Sequence, residues 1–157
     1  MAYFSEEHFK LLRNLVAQDV EFILLGGHAA IYYGVRRTTS DIDILVKPTN
    51  ENGKRVLKAF EKSGLVVEDI VPDDFKNQMV LSFGLEPNAV DMMNYIIGLD
   101  IETVFVNSLP VEIGGLKLKM IDIRDLIINK ESLNREGDKK FTDQQDIFTL
   151  KKIASKL

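Results

Sequence analysis

The chain has 157 residues, 45% hydrophobic and 28% charged, with a formal net charge of -4. That length predicts a single domain over residues 1–157 with a real core, and the composition is ordinary for a globular protein. The acidic balance leaves no general basic field for nucleic acid, only the local pairs Arg36-Arg37, Lys139-Lys140 and Lys151-Lys152.

The absence of cysteine excludes disulfides, thiolate zinc sites and a cysteine nucleophile. Two histidines, His8 and His28, are too few for a histidine-rich metal centre. Oxygen ligands from Asp and Glu remain, and these suit magnesium or manganese. The start, MAYFSEEHFK, has no apolar leader core, and no apolar run is long enough to span a bilayer. The expected location is the cytoplasm, away from membranes.

Residues 5–17 predict a helix. Ser5 caps it, Glu6 and Glu7 suit the positive end of its dipole, and Phe9, Leu12, Leu15 and Val16 share a face. Phe4 and Phe9 stand at the spacing of a hydrophobic staple. His8 reads as an exposed residue of the first turn. Glu21 to Leu25 predicts a strand. Gly26-Gly27 follows as a turn, then a short helix from about His28 to Tyr33, ended by Gly34. A strand that turns through glycine into a helix start presents free N–H groups, which attract phosphate.

Asp41 to Val46 predicts a second strand, stopped by Pro48. Thr49 or Asn50 caps a helix running to about Ser63, with Gly64 past its end. Leu65 to Ile70 reads as a further strand and Pro72 to Phe75 as a turn. Gln78 to Phe83 and Ala89 to Tyr95 predict a hairpin around Glu86-Pro87-Asn88. Leu99 to Thr103 reads as one helical turn and Val104 to Asn107 as a short strand. Val111 to Met120, with Gly114-Gly115 at its centre, reads as a hairpin whose lysines face solvent. Asp122 caps a helix through Ile123, Leu126, Ile127 and Lys130. Residues 131–138 read as a polar loop, and a last helix spans about Phe141 to Ala154. The order of elements predicts an α/β (α+β) fold with a small mixed sheet and flanking helices.

Three carboxylates stand out. Asp41 and Asp43 share one face of one strand, because successive side chains alternate. Two such neighbours repel unless a cation holds them. Asp91 lies in the middle of an apolar strand, which is costly unless it is paired or binds a cation. Three carboxylates near a glycine turn suit two divalent ions that bridge them to a triphosphate. Arg37 or Arg36 stands where it can neutralise phosphate charge. Asp41 paired with Arg37, and Asp91 paired with a core lysine, are the structural alternatives. His28, beside the glycines, reads as a packing or capping residue.

Gly26-Gly27, Asp41-Ile42-Asp43 and Asp91, in that order, resemble the DNA polymerase β-like nucleotidyltransferase superfamily. The longer string Gly34-x-x-Arg37-x-Thr39-x-Asp41-Ile42-Asp43 looks like its abortive-infection-type, or type IV toxin-like, branch. So does the C-terminal order Lys130, Lys140 and Asp143-Gln144-Gln145-Asp146. The chain departs from the pattern at Gly27, where serine is usual, and at Thr142, where lysine commonly stands. The resemblance implies an enzyme that moves a nucleoside monophosphate from an NTP to an acceptor hydroxyl and releases pyrophosphate. It implies two Mg2+ or Mn2+ ions on Asp41, Asp43 and Asp91, and nucleotide contacts from Gly26, Gly27, Arg37, Thr39 and Lys130. For Lys130 and Lys140 a solvated face is the simpler expectation, and Asp143 and Asp146 then pair with Lys139, Lys140 or Arg124. The implied partners are the NTP and an acceptor such as tRNA or a protein, with a protein partner or a second copy of the chain also open. Two alternatives remain. One is a binding module or half of a toxin–antitoxin pair on the same fold. The other is a lincosamide- or aminoglycoside-modifying nucleotidyltransferase.

Overall fold

The computed structural model describes residues 3–157. Helix α1, Glu6–Ala17, is capped by the Ser5 hydroxyl, which accepts from the His8 N–H at 3.1 Å. Strand β1, Phe22–Leu25, leads directly into α2, Gly26–Tyr33, and then β2, Asp41–Val46. Helix α3, Asn50–Lys62, starts at Thr49, whose hydroxyl accepts from Asn52 N–H. A 3-10 turn at Pro72–Lys76 precedes strands β3, Val80–Phe83, and β4, Ala89–Met93. Then come α4, Ile101–Asn107, strands β5, Leu109–Ile113, and β6, Leu116–Met120, and helices α5, Ile123–Ser132, and α6, Gly137–Ala154.

The six strands form one mixed sheet in the order β3-β4-β2-β1-β6-β5, the α/β architecture expected from the element order. The β2–β4 and β1–β6 pairs are parallel and the other neighbours antiparallel. Alternation along β2 and β4 decides the two faces. Ile42, Ile44, Val90 and Met92 are buried on one face, beneath α3 and its neighbour α1. Phe60 of α3 packs edge-on against Phe83 of β3 there, with ring centroids 5.4 Å apart. Asp41, Asp43 and Asp91 lie on the other face, on the side of α5 and α6. Among the described residues no helix is long and apolar enough to cross a membrane.

Several expectations are corrected. Residues 65–70 form no strand. Leu65, Val67 and Ile70 pack on the core near Leu57 and Phe60 of α3, while Val66 is 84% exposed, so the backbone meets no strand partner. Val104 to Asn107 is helical, the continuation of α4. The Asp100 carboxylate caps that helix by accepting from Thr103 N–H at 3.1 Å, and burial of Val104 overrides its local strand preference. Helix α2 begins at Gly26 rather than His28, and α6 at Gly137 rather than Phe141. The first turn of α6 is exposed and polar, so it has no apolar periodicity to read.

His8 is buried, not exposed. Its spacing from Leu11, Leu12 and Leu15 puts it on the apolar stripe of α1, and its Nε2 lies 2.9 Å from Ala89 O. The lysines of the β5–β6 hairpin, Lys117 and Lys119, do face solvent.

Asn52 ties the ends of β1 and β2 to α3. Its Oδ1 accepts from Glu21 N–H at 2.7 Å, and its Nδ2 donates to Glu21 O at 3.0 Å and Lys47 O at 3.1 Å. The side chain is fully buried. Asn52→Ala removes the partner of Glu21 N–H and of Lys47 O, while Glu21 O keeps its bond from Lys47 N–H at 3.2 Å, and is expected to cost about 2 kcal/mol in chemical denaturation, since each buried unsatisfied group costs about 1–3 kcal/mol. A loss below about 1 kcal/mol on that scale contradicts this role for Asn52.

Candidate active site

The site begins at the joint between β1 and α2. Leu25 of β1 pairs with Asp43 of β2, and the chain turns into α2 at the next residue. Gly26 adopts φ +67, and a methyl group there would overlap the Asp43 carboxylate. Only glycine permits both the turn and the close approach. The start of α2 has no side-chain cap, since the residue preceding it is Leu25. Its first N–H groups therefore have no side-chain acceptor.

Gly27 has a different reason to lack a side chain. A Cβ there would stand 2.7 Å from Thr39 Oγ1 and 3.1 Å from an Arg37 Nη atom. The loop before β2 thus places a hydroxyl and a guanidinium where a serine at position 27 would project. Thr39 and Arg37, both singled out from the sequence, meet Gly26-Gly27 here. His28 packs inward against the Tyr3, Phe4 and His8 rings and is buried. Burial first, then His8 and Arg37, push its pKa down to about 4, with Asp41 opposing them. It is a packing residue, as expected.

The parallel β2–β4 register sets Asp43 directly opposite Asp91 and Asp41 opposite Ala89, on strands about 4.8 Å apart. Asp41 accepts from the Ser40 hydroxyl at 2.9 Å and Asp91 from the Ser82 hydroxyl at 2.6 Å. The Asp43 carboxylate has no hydrogen-bond or ion-pair partner among the described residues. Its pKa rises from 3.8 to about 7. Burial is the main cause, followed by the charges of Asp91 and Asp41, and Lys130 and Arg135 pull the other way. Crowded, desolvated carboxylate oxygens are a hard-cation donor set. Among the described residues no three acidic or histidine side chains gather tightly enough to enclose an ion by themselves. Divalent ions at these residues would need further oxygen ligands from water or phosphate, as magnesium commonly takes.

Facing the carboxylates is a chain of buried ion pairs. Arg37 donates from Nε to Asp146 Oδ1 at 2.9 Å and from Nη2 to Asp146 Oδ2 at 2.8 Å. Lys130 Nζ lies 3.0 Å from Asp146 and 3.5 Å from Asp143. Arg135 grips Asp143 with both Nε and Nη2. Lys130 is 3% exposed and Asp146 0%, so the solvated-face expectation for Lys130 is overturned. Asp143 and Asp146 pair with Arg135, Lys130 and Arg37, not with Lys139, Lys140 or Arg124. Lys140 is exposed and apart from the chain of pairs. Burial raises the Asp146 pKa, but the Arg37 hydrogen bonds and Lys130 hold it below the usual carboxylate range.

Arg135 was not visible as a site residue in the sequence. It lies in a polar stretch with no periodicity, and its only signal is its distance in chain from Asp143. The alternative pairing of Asp41 with Arg37 does not occur, because both prongs of Arg37 are taken by Asp146.

One cleft of about 700 Å³ is lined by Gly26, Gly27, Thr39, Asp41 and Asp43 together with Arg37, Lys130 and Arg135; Asp91, Asp143 and Asp146 are not among its lining residues. A second groove of about 470 Å³ lies at the other end of β1, near Phe22 and Lys47, and contains none of these residues.

Two outcomes follow from the charges. Asp43 binds its proton more tightly folded than unfolded, so the metal-free protein loses stability as pH rises from 3.8 to about 7. Asp43→Asn should therefore stabilise the metal-free protein by up to about 4 kcal/mol at pH 8 and leave it nearly unchanged below pH 4, read by urea denaturation. Equal stabilisation at both pH values would contradict burial of a charged carboxylate as the cause. Asp146→Ala leaves the buried Lys130 and the half-buried Arg37 without their shared anion and should cost about 3 kcal/mol, visible as a large drop in melting temperature.

Comparison with known proteins agrees with this geometry. No curated protein matches the chain. A solved structure of an antigenic nucleotidyltransferase-like protein from Paracoccidioides brasiliensis superposes with a TM-score of 0.53 at 16% identity, covering 94% of this chain and 77% of that one. It shares the fold. Residues 5–153 match the model of a family described as nucleotidyl transferase of unknown function (DUF2204). The chain belongs to that family, and with it to the nucleotidyltransferase class of enzymes.

Proposed function

We propose that the chain transfers a nucleoside monophosphate from an NTP to an acceptor hydroxyl, with two magnesium ions held by Asp41, Asp43 and Asp91. One observation carries this reading. The Asp43 carboxylate lies beside Asp91 and over Gly26, at an uncapped helix start, with no protein partner of its own among the described residues.

The acceptor oxygen forms a bond to the α-phosphorus while the bond from that phosphorus to the bridging oxygen breaks, releasing pyrophosphate. When bound, the divalent ions would polarise the α-phosphate and neutralise the leaving pyrophosphate. The N–H groups at Gly26 and Gly27 and the Thr39 hydroxyl hold the phosphate chain. Arg37, Lys130 and Arg135 supply positive charge from the facing wall, each oriented by Asp146 or Asp143. Asp91, whose carboxylate accepts from the Ser82 hydroxyl, would take the acceptor's proton. The acceptor class is an RNA, a protein or a small molecule such as an antibiotic.

The test is transfer of label from α-32P NTPs with Mg2+ to RNA, protein and small-molecule acceptors, alongside metal-dependent NTP binding. Wild type should transfer label and Asp43→Ala should fall by at least about 1,000-fold, the scale of losing a main electrostatic stabiliser of the transition state. Metal-dependent binding without turnover would instead mark a binding module, such as half of a toxin–antitoxin pair. No binding and no transfer would end the reading.

A further inference from the structure

The cleft has two chemically different halves. One is the charged half built on Asp41, Asp43 and the facing cations. The other is an apolar wall made by Val80, Met93, Tyr95, Ile96, Ile97 and Leu133. Two of these, Val80 and Ile97, are each 47% exposed. Ile96 and Met93 are half-buried against the core, and Tyr95 is half-buried. Burial in the fold does not account for the exposed parts of Val80 and Ile97, collected with Tyr95 along one cleft.

The wall is built onto the acidic strand. Met93 follows Asp91 by two residues on β4 and so shares its face, and Val80 of β3 pairs with Met93. Tyr95 to Ile97 continue the chain directly beyond β4. This segment is tied to α5, because Asn129 Nδ2 donates to Ile97 O at 3.0 Å. Gly98 adopts φ +87, and a side chain there would overlap Ser132 of the same helix, so the segment packs hard against α5. Asn129 is the neighbour of Lys130, which anchors the cationic wall. One helix thus fixes the apolar segment and the central cation relative to each other.

A ligand filling both halves carries several negative charges at one end and a flat apolar group at the other. The geometry points to a nucleobase subsite on this wall, with Tyr95 and Ile97 packing on the face of the NTP's base while its triphosphate lies at Gly26-Gly27. This rests on the nucleotidyltransferase reading of the same cleft. Charge complementarity selects the occupant: the wall adjoins three cations and a helix start suited to phosphate, and a nucleotide joins those two chemistries within one molecule. A base offers a π face whatever its identity, so such a wall binds by stacking and apolar contact.

The test compares two probes by calorimetry in the presence of Mg2+, ATP and inorganic tripolyphosphate, on wild type, Tyr95→Ala, Tyr95→Phe and Ile97→Asp. Ile97 is about half exposed, so its variant should keep the fold even if Tyr95→Ala does not, and thermal melts confirm which variants remain folded. Wild type should bind both probes. Tyr95→Ala and Ile97→Asp should weaken ATP by about tenfold, the scale of one lost stacking contact, while tripolyphosphate binds as in wild type. Tyr95→Phe should keep ATP affinity. ATP binding unchanged in Ile97→Asp and in folded Tyr95→Ala overturns the base subsite but leaves the nucleotidyltransferase reading standing. So does unchanged ATP binding with lost transfer to an acceptor, which assigns the wall to the acceptor. If wild type binds neither probe with Mg2+, the parent reading fails and the subsite with it.

Discussion

The parallel pairing of β2 with β4 is the constraint on which the rest depends. That register puts Asp43 beside Asp91 and one step from Asp41. Like charges on adjacent strands repel, and burial makes the repulsion stronger. The fold accepts this because the same two strands present Ile42, Ile44, Val90 and Met92 to the opposite face, where all four are buried. Each strand thus contributes to the core with one set of side chains and to the site with the other. The raised Asp43 pKa records the tension that remains when no cation is bound.

The C-terminal helices answer that negative charge without cancelling it. Lys130 and Arg135 act on Asp43, yet each is held by carboxylates of α6 rather than by the site itself. Buried ion pairs of this kind add little net stability, because desolvation offsets much of the attraction. Their effect is geometric. Asp146 and Asp143 aim three cations at the cleft and clasp α5, α6 and the loop before β2 into one wall. Arg37 joins the two parts: its Nε and Nη2 donate to Asp146, and the same Nη2 lies where a side chain at Gly27 would project.

Local signals read well where chemistry is local. The caps at Ser5, Thr49 and Asp122 and the Gly-Gly hairpin stand where the sequence places them. Asp41 to Val46 is a strand with its expected limits. Reading failed where a distant partner decides. The run from Leu65 to Ile70 has strand-like residues but no strand to pair with. His8 looks polar and exposed until Ala89, far along the chain, supplies its hydrogen-bond partner. Lys130 looks solvated until two carboxylates from another helix enclose it.

What the sequence by itself determined is the acidic strand, the glycine turn and the absence of thiol or histidine chemistry, since residue type and spacing of two or three suffice for these. It could place Asp91 on an apolar strand, but not beside Asp43, because strand register is a long-range property. The tertiary structure alone decided that Arg37, Lys130, Arg135, Asp143 and Asp146 form one network, and that Val80, Met93, Tyr95, Ile96 and Ile97 line the same cleft as Asp41 and Asp43. Arg37 meets Asp146 across 109 positions of chain, the Lys130 pairs depend on how α5 packs on α6, and nothing in local spacing encodes which carboxylate meets which cation.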